Sequence, residues 1–461
     1  MNASLAFTAL LPEHILLAGI VALLVIEIVS DEAKGELPVA IISVAFAAIA
    51  AAGLASGGNT LEPFPGQFIL TPGIAAAKAV VLALAIPVLL VSRGDFPRGP
   101  YYPLLLSSLY GICLVASSSS FLTMFLGIEI MSVPVYVLVL LAYRRPESAE
   151  AALKYLVLSG TASAMFLMGA SLIFGSTGSL SVGAFAQALA SNTLLSQSAL
   201  VMVVSAFFLK AAIVPFHGWA PDAYEAASVP VTAYMATLVK AGVLFAALRV
   251  FGEAGLAQPL AGILAFLPIA SIVWGNLAAM RQAGLRRMIA YSSIAHAGYL
   301  FLALLGEGPG RFEAVAFYLA AYGATNILAF AALPNAKDDE SRDRLEDLKG
   351  LFHRAPLAAI LIGIAMLSLA GIPPFPGFAG KFLIFKNVMA AGHVWIAVAG
   401  LVASYLGIYF YLRVIQFMFM APDAQPAGHR PASGMAIGAG LLCLAFTVAI
   451  AVAPGWFLAR L

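Results

Sequence analysis

Long apolar runs, separated by short stretches rich in glycine, proline or charge, dominate the pattern along this chain. About 20 mostly apolar residues are enough for a helix to cross the hydrocarbon layer of a membrane. Cutting the sequence at its polar interruptions predicts fourteen such spans. They lie at 14–29, 37–56, 73–92, 101–117, 120–142, 150–174, 197–221, 229–251, 258–279, 286–305, 312–334, 355–390, 394–419 and 434–457. We therefore predict an all-α, polytopic membrane protein.

The basic residues test this number of spans, because short cytoplasmic loops of membrane proteins retain Lys and Arg. With the N-terminus placed outside, the predicted cytoplasmic loops carry Lys34, Arg93, Arg98, Arg144, Arg145, Arg281, Arg286, Arg287, Lys337, Arg342, Arg344, Lys349, Arg354 and Arg430. The outer loops and the C-terminus carry only Arg249, Arg311, Lys386 and Arg460. A missed span in the middle would reverse every later loop and remove this bias. We therefore predict about fourteen helices with both termini outside.

Composition excludes several classes of protein. Of the 461 residues 62% are hydrophobic and 10% are charged, whereas soluble domains average about 25% charged residues. The net charge of +2 gives no reason to expect a nucleic-acid partner. Cys113 and Cys443 both lie inside apolar runs, which argues against a disulfide framework or a metal cluster.

Several charged residues fall inside the predicted spans, where each costs about 2.5–3.5 kcal/mol at the membrane centre. These residues are Lys78, Lys154, Lys210, Lys240, Lys381, Arg413, Glu27 and Glu129. Such groups usually line ion pathways or pair with one another. Glu129, Lys210 and Lys240 lie well inside their spans and favour a pathway. Lys154 lies nearer an end, so functional and structural roles stay equally open, while Lys78, Glu27 and Arg413 are interpreted as anchors or packing charges.

Two of the charged spans also contain prolines that predict broken helices. Pro215 follows Lys210 by five residues, and Pro373 and Pro374 precede Lys381. Proline removes a backbone donor, and lipid cannot satisfy the carbonyls that such a break exposes. Broken helices in corresponding positions of two halves indicate a transport site. The alternative is a simple kink, which the neighbouring lysines disfavour.

His296 lies in the middle of a span, next to Ser292, Ser293 and Tyr299. A histidine among hydroxyl groups can relay protons near neutral pH. The alternative is a buried histidine that is merely held by hydrogen bonds. The lysines on neighbouring spans favour the relay.

Five stretches resemble one known family. They are FLTMFLGIEIMSVPVYVLV, ESAEAALKYLVLSG, FLKAAIVPFHGWAPDAYEAASVPVTAYMATLVKAG, GNLAAMRQAGLRRMIAYSSIAHAGYL and LAGIPPFPGFAGKFLIF. Together they resemble the antiporter-like membrane subunits of complex I, the bacterial proton-translocating NADH:quinone oxidoreductase, and subunit N in particular. The resemblance extends over most of residues 120–390, in the order of the family.

This resemblance implies two inverted five-helix repeats, each containing a broken helix. The implied divisions are an N-terminal three-helix region at 1–100, a first repeat at 101–252, a second repeat at 253–420 and a last helix within 421–461. The resemblance also implies an inner membrane of bacteria, with both termini in the periplasm.

The resemblance further implies a role for each buried charge in proton translocation. Glu129 and Lys210 would form the ion pair of the first half, and Lys240 would connect the halves. His296 would belong to the central polar axis, and Lys381 would be the terminal lysine. FMN, iron–sulfur clusters and quinone would be bound by partner subunits, with no metal or cofactor bound here. The expected partners are the antiporter-like subunit M, the small subunits K, J, A and H, and membrane lipids.

Three other functions compete with this one. A subunit of a multi-subunit cation/proton antiporter shares the broken helices and the lysines. A quinone-binding redox enzyme lacks support, since the sequence has neither a haem-ligand pair nor a set of thiolates. A scaffold subunit with relic charges would pump normally after every lysine is replaced.

Overall fold

The computed structural model describes residues 3–29, 35–93, 95–96, 99–142, 146–191, 193–252, 257–336, 344–421, 429–430 and 432–459. Helices make up nearly all of this part of the chain. The strands within it form two short antiparallel pairs. β1 (Leu61–Phe64) pairs with β2 (Phe68–Leu70), and β3 (Asn335–Ala336) pairs with β4 (His429–Arg430).

The helices of the first half follow one another with short connections. They are α1 (Ala3–Ala9), α2 (Leu11–Val29), α3 (Glu36–Ser56), α4 (Pro72–Ser92), α5 (Tyr101–Ser117), α6 (Phe121–Leu140), α7 (Pro146–Thr177), α8 (Ala184–Ala190), α9 (Leu194–Ala211), α10 (Trp219–Ala226), α11 (Val229–Tyr234) and α12 (Lys240–Phe251). A π-helical turn, Met235–Val239, joins α11 to α12 into one continuous span.

The second half is built in the same way. Its helices are α13 (Ala257–Ala279), α14 (Leu285–Leu302), α15 (Pro309–Ala331), α16 (Leu351–Arg354), α17 (Pro356–Ala370), α18 (Pro376–Ala390), α19 (Val394–Tyr405), α20 (Ile408–Phe419), α21 (Gly434–Val452) and α22 (Pro454–Leu458). Short 3₁₀ turns lie at Ala303–Leu305 and Leu345–Leu348.

Within the described residues, twelve helices are long and apolar enough to cross a membrane. Two shorter apolar helices, Tyr101–Ser117 and Pro356–Ala370, supply the other predicted spans. Each of the fourteen predicted apolar segments therefore contains a helix. The predicted all-α, polytopic fold is confirmed.

Burial divides the helices into an inner and an outer set. The apolar windows of Val229–Phe251 and Gly310–Ala331 are 100% buried, and that of Leu285–Leu305 is 94% buried. The windows of α2 and α3 are each only 28% buried, and the exposed faces of these outer helices are apolar, as with Phe46 and Ile49. A helix that is apolar on all sides and fully enclosed belongs to the centre of a bundle. The three enclosed helices carry Lys240 and His296.

Candidate functional site

The first buried charge cluster joins α6, α7 and α9. The Lys210 ammonium lies 3.4 Å from a Glu129 carboxylate oxygen. It also donates to the Ser159 hydroxyl at 2.8 Å, and the Ser163 hydroxyl donates to Glu129. The Lys210 side chain is 8% exposed and the Glu129 side chain 28%, so only the carboxylate reaches the edge of the bundle. The cluster is thus an ion pair whose two members are both bonded to hydroxyl groups.

Helix α9 ends one residue after Lys210, at the break that contains Pro215. Ala212 has a left-handed backbone conformation (φ 60°), and helical structure resumes only at Trp219. The indole of Trp219 donates to the Leu209 carbonyl, and the Ser271 hydroxyl accepts from the Val214 amide. Side chains from neighbouring helices therefore satisfy backbone groups that lipid could not.

Lys240 follows the π-helical turn on the central span and is 6% exposed. Its ammonium donates to the backbone carbonyl of Ser293 at 2.5 Å and also to the hydroxyl of that residue. No carboxylate within the described part of the chain forms an ion pair with Lys240. Its charge is consequently balanced by dipoles rather than by an opposite charge.

A small cavity separates Lys210 from Lys240. Both lysines line it, together with Tyr155, Trp219 and Ser293. Its free space suits on the order of one water molecule. Apart from the two lysines and a few polar groups such as Ser293, the lining of this cavity is mostly apolar.

His296 is enclosed by tyrosines at the centre of the second half. Its Nδ1 atom lies 2.5 Å from the Tyr318 hydroxyl, and its Nε2 atom lies 3.0 Å from the Tyr411 hydroxyl. The Tyr411 hydroxyl in turn lies 2.5 Å from the hydroxyl of Ser292. The ring of Tyr322 packs on the imidazole with 4.6 Å between ring centroids. Both ring nitrogens of His296 are therefore bonded to hydroxyl groups.

Lys381 lies on α18, beyond the second break. Its ammonium donates to the carbonyls of Leu369 and Ala370, each at 3.2 Å, and lies 5.0 Å from the centre of the Tyr299 ring. These carbonyls end α17, where a helix carries a partial negative charge. Gly371 follows with φ 81°, and a Cβ atom there would lie 3.1 Å from the Lys381 ammonium. The break that contains Pro373 and Pro374 thus forms a pocket for this lysine.

The structure places Lys154 apart from the buried lysines, at an exposed position. Its side chain is 45% exposed and pairs with Glu150 at 2.7 Å and with Asp222 at 2.8 Å. Asp222 also accepts from Arg287 at 3.0 Å. Burial alone would raise the pKa of Asp222, but the hydrogen bonds from Lys154 and Arg287 outweigh it and hold this pKa below its usual value. Lys154 therefore belongs to a surface network of ion pairs that includes Asp222 on α10.

The remaining charged residues within the spans have local partners or solvent. Lys78 forms a fully buried ion pair with Glu13 at 2.6 Å. Arg413 donates to the carbonyls of Met280 and Gln282. Glu27 is exposed on α2. These contacts suit the interpretation of Lys78 and Arg413 as packing charges and of Glu27 as an anchor.

Sequence reasoning missed much of the hydrogen-bonding shell around the charged groups. The missed members are Glu13, Ser159, Ser163, Asp222, Tyr318 and Tyr411. Serine and tyrosine are common in membrane helices, so their residue type alone carries no signal. The one available signal was helical spacing, since Ser159 and Ser163 lie four residues apart on one face of α7.

The described residues offer no set of three or more His, Cys, Asp or Glu side chains that could hold a metal ion. Cys113 and Cys443 are buried as free thiols. The chemistry that this arrangement supports is the transfer of protons between ammonium, carboxylate, imidazole and hydroxyl groups.

Comparison with known proteins agrees with this description. The profile of the family described as "NADH:quinone oxidoreductase/Mrp antiporter, TM" matches residues 118–407. The chain is 39% identical to NADH-quinone oxidoreductase subunit N of Pelobacter propionicus, over 90% of this chain and 89% of that protein. It is also 39% identical to the subunit N of Chloroflexus aggregans, over 81% of this chain and 80% of that protein.

A solved structure shows the same fold. A chain of respiratory complex I from Thermus thermophilus superposes with a TM-score of 0.85 at 34% identity, covering 97% of this chain and 98% of that one. Sequence similarity and fold therefore agree over nearly the whole length. The chain belongs to the family of NADH-quinone oxidoreductase subunit N, within the antiporter-like membrane subunits.

Proposed function

We propose that this chain is the proton-translocating subunit N of a bacterial NADH:quinone oxidoreductase, and that protons cross it along the buried groups described above. The observation that carries the proposal is the placement of Lys210, Lys240 and Lys381 inside the helical bundle. Within the described chain, only one of these three ammonium groups, that of Lys210, has a carboxylate as a direct partner. Burying such groups in a membrane is costly. Proton transfer gives them a use that packing does not.

The pair of Glu129 and Lys210 supplies the switch. Burial disfavours the charged form of a lysine, and a nearby carboxylate favours it. Moving Glu129 away from Lys210 would release a proton toward Lys240 through the cavity between the two lysines. Moving it back would recapture a proton from the cytoplasmic side. Redox chemistry elsewhere in the complex would drive this movement.

Lys154 would act at the start of this path. It lies beside Glu150 and Asp222 in an open, polar pocket that also contains Glu147 and Arg287. The half-helix α10 separates this pocket from the cavity at Lys210, because Asp222 faces the pocket and Trp219 faces the cavity. We infer that the pocket collects protons and that α10 controls their entry.

The second half would complete the path through His296 to Lys381. We infer two inverted repeats at 101–252 and 253–420, preceded by a three-helix region at 1–100 and followed by a last helix within 421–461. One broken helix in each inferred repeat supports this division. The loop charges support periplasmic positions for both termini.

The expected partners are the neighbouring subunit M and the small subunits K, J, A and H, together with membrane lipids. FMN, the iron–sulfur clusters and quinone would be bound by other subunits of the complex. The similarity to a chain of a solved complex I over nearly its full length supports assembly of this kind.

Exchange of Glu129 for Gln in the intact complex tests the proposal. Glu129→Gln keeps the size of the side chain but removes the charge that favours protonated Lys210. We expect at least about a tenfold loss of proton pumping, roughly 1.4 kcal/mol of lost interaction, with the complex still assembled. Quenching of a pH-sensitive dye in proteoliposomes, measured beside NADH oxidation, gives the readout.

Glu27→Gln is the matched control, because Glu27 is also a carboxylate within a membrane helix but is exposed on α2. Normal pumping by Glu129→Gln and by Lys210→Met would contradict the proposed proton path. Purification of the chain with cation/proton antiporter subunits, without flavin or iron–sulfur subunits, would favour the antiporter function instead.

A further inference from the structure

Two tyrosines bond to opposite nitrogens of the same buried imidazole. Tyr411 on α20 contacts Nε2 of His296, and Tyr318 on α15 contacts Nδ1. We propose that Tyr411 and Tyr318 are relay residues, which pass protons through His296 by exchanging its two neutral tautomers. This inference rests on the proposed function, since it assigns carriers within the same path.

A neutral imidazole has one hydrogen-bond donor and one acceptor nitrogen, so the two contacts of His296 must run in opposite directions. One ring nitrogen carries a proton and donates, while the other accepts. With tyrosine hydroxyls on both nitrogens, one tyrosine must therefore donate to the ring while the other accepts from it. Two mirror-image arrangements exist, and they differ only in which nitrogen carries the proton.

Exchange between these arrangements moves one proton. In the starting state Tyr411 donates to Nε2, and the proton on Nδ1 points at the Tyr318 oxygen. A proton arriving at Ser292 displaces the hydroxyl proton of Ser292 onto Tyr411, and Tyr411 passes its own proton to Nε2. His296 gives its Nδ1 proton to Tyr318, which passes its original hydroxyl proton on toward the neutral amine of Lys381. One pass leaves the ring proton on Nε2, so the relay is reset when the hydroxyl groups rotate and the imidazole ring reorients to turn its unprotonated nitrogen back to Tyr411.

The packing around the relay keeps it aligned. Ser292 and His296 are four residues apart on α14, so both side chains face α20 and meet the same Tyr411 hydroxyl. Tyr318 packs against Gly380, where an added Cβ would overlap its ring. Because Gly380 directly precedes Lys381, this contact brings the Tyr318 ring beside the helix segment of the terminal lysine. His296, Tyr318 and Tyr411 are each at most 3% exposed.

The relay lies between the two lysines of the second half of the path. Lys240 bonds to Ser293 on α14, the helix that carries His296. Lys381 lies against the ring of Tyr299, which packs on both His296 and Tyr318. A carrier between these ends has to accept a proton on one side and release one on the other. The imidazole with its two hydroxyl groups has this property.

Tyr322 provides a matched control for the two tyrosines. Its ring also packs on His296, at 4.6 Å between centroids. Its hydroxyl makes no hydrogen bond to His296 and lies outside the hydrogen-bonded chain from Ser292 to Tyr318. Tyr322→Phe therefore removes one hydroxyl next to His296, as Tyr411→Phe and Tyr318→Phe do. Unlike them, it leaves the relay intact.

The experiment compares Tyr411→Phe, Tyr318→Phe and Tyr322→Phe in the assembled complex in proteoliposomes. We expect Tyr411→Phe and Tyr318→Phe each to lower the rate of proton pumping by about tenfold, since a positioned proton carrier contributes at least that much to a rate. The double variant should be no worse than either single one, because the groups act in series. Tyr322→Phe should pump normally.

A second measurement removes the risk that a variant assembles poorly. Replacing each tyrosine in turn by 3-fluorotyrosine keeps the ring and the hydroxyl but makes the phenol more acidic. We expect a changed pumping rate at positions 411 and 318 and an unchanged rate at 322. A purely structural role of the tyrosines predicts no change at any of the three positions.

Lys240→Met, measured in the same series, separates this inference from the proposed function. If Lys240→Met lowers pumping while Tyr411→Phe and Tyr318→Phe pump normally, the relay is wrong and the proton path stands. If none of the three lowers pumping, both the relay and the proposed function are wrong.

Discussion

Each half of the chain holds one lysine at a broken helix, but the two lysines are stabilised by different groups. Lys210 precedes its break and pairs with the Glu129 carboxylate and the Ser159 hydroxyl. Lys381 follows its break and turns back to the carbonyls of Leu369 and Ala370. The first lysine therefore depends on a side chain that can move. The second depends on the end of a helix, which moves only with the backbone.

Under the proposed proton path, this difference would give the two halves different tasks. A carboxylate that approaches or leaves changes the proton affinity of a lysine without rebuilding the helix. Helix-end carbonyls carry a fixed partial charge of about half a unit. We infer that the first half is the adjustable site and that the second half is a site of constant affinity, from which protons leave.

The largest expected effect comes from reversing the charge at the fixed site. Lys381→Glu would aim a carboxylate at the carbonyls of Leu369 and Ala370, which repel it. We expect at least about a tenfold loss of proton pumping, or roughly 1.4 kcal/mol, measured in proteoliposomes. Lys381→Arg retains the charge and the donors and should keep more of the activity. Equal pumping by the glutamate and arginine variants would show that the helix-end carbonyls do not hold this charge.

A smaller effect, on stability, is expected from substitution of Gly371 at the same helix break. Gly371→Ala places a Cβ in a left-handed conformation and near the Lys381 ammonium. We expect a destabilisation of about 1–3 kcal/mol, from the strain of this backbone region. Thermal unfolding of the detergent-solubilised complex measures this loss.

Gly363→Ala is the control for that substitution, since Gly363 lies inside α17, the helix that Gly371 follows, and has open space around it. Alanine also favours a helix over glycine, so the control should be neutral or slightly stabilising. Equal unfolding temperatures for the two variants would show that the left-handed conformation of Gly371 does not stabilise the pocket around Lys381.

The sequence predicted the fold because apolar runs and loop charges are properties of the chain alone. The fourteen apolar segments coincide with helices, since their length is set by the membrane. The helix breaks at Pro215 and Pro373 could be predicted from the sequence for a similar reason. Proline acts on the backbone of its own segment.

The partners of the charged groups could not be predicted in the same way. The ion pair of Lys78 joins it to Glu13, which is 65 residues away in the sequence. The contact between His296 and Tyr411 joins residues that are 115 apart. Such contacts depend on how the helices pack around one another, which hydropathy does not specify. The resemblance to a known family supplied Glu129 as the partner of Lys210, but it did not supply the tyrosines.

The most direct test concerns Lys240, which lies between the two halves and has no carboxylate paired with it in the described chain. The measurement is the rate of proton pumping in proteoliposomes by the intact complex carrying Lys240→Met, with the exposed Lys386→Met as control. A proton path through the buried groups predicts a rate lowered by about tenfold in the first variant and an unchanged rate in the second. An unchanged rate in Lys240→Met would show that protons do not pass along these groups.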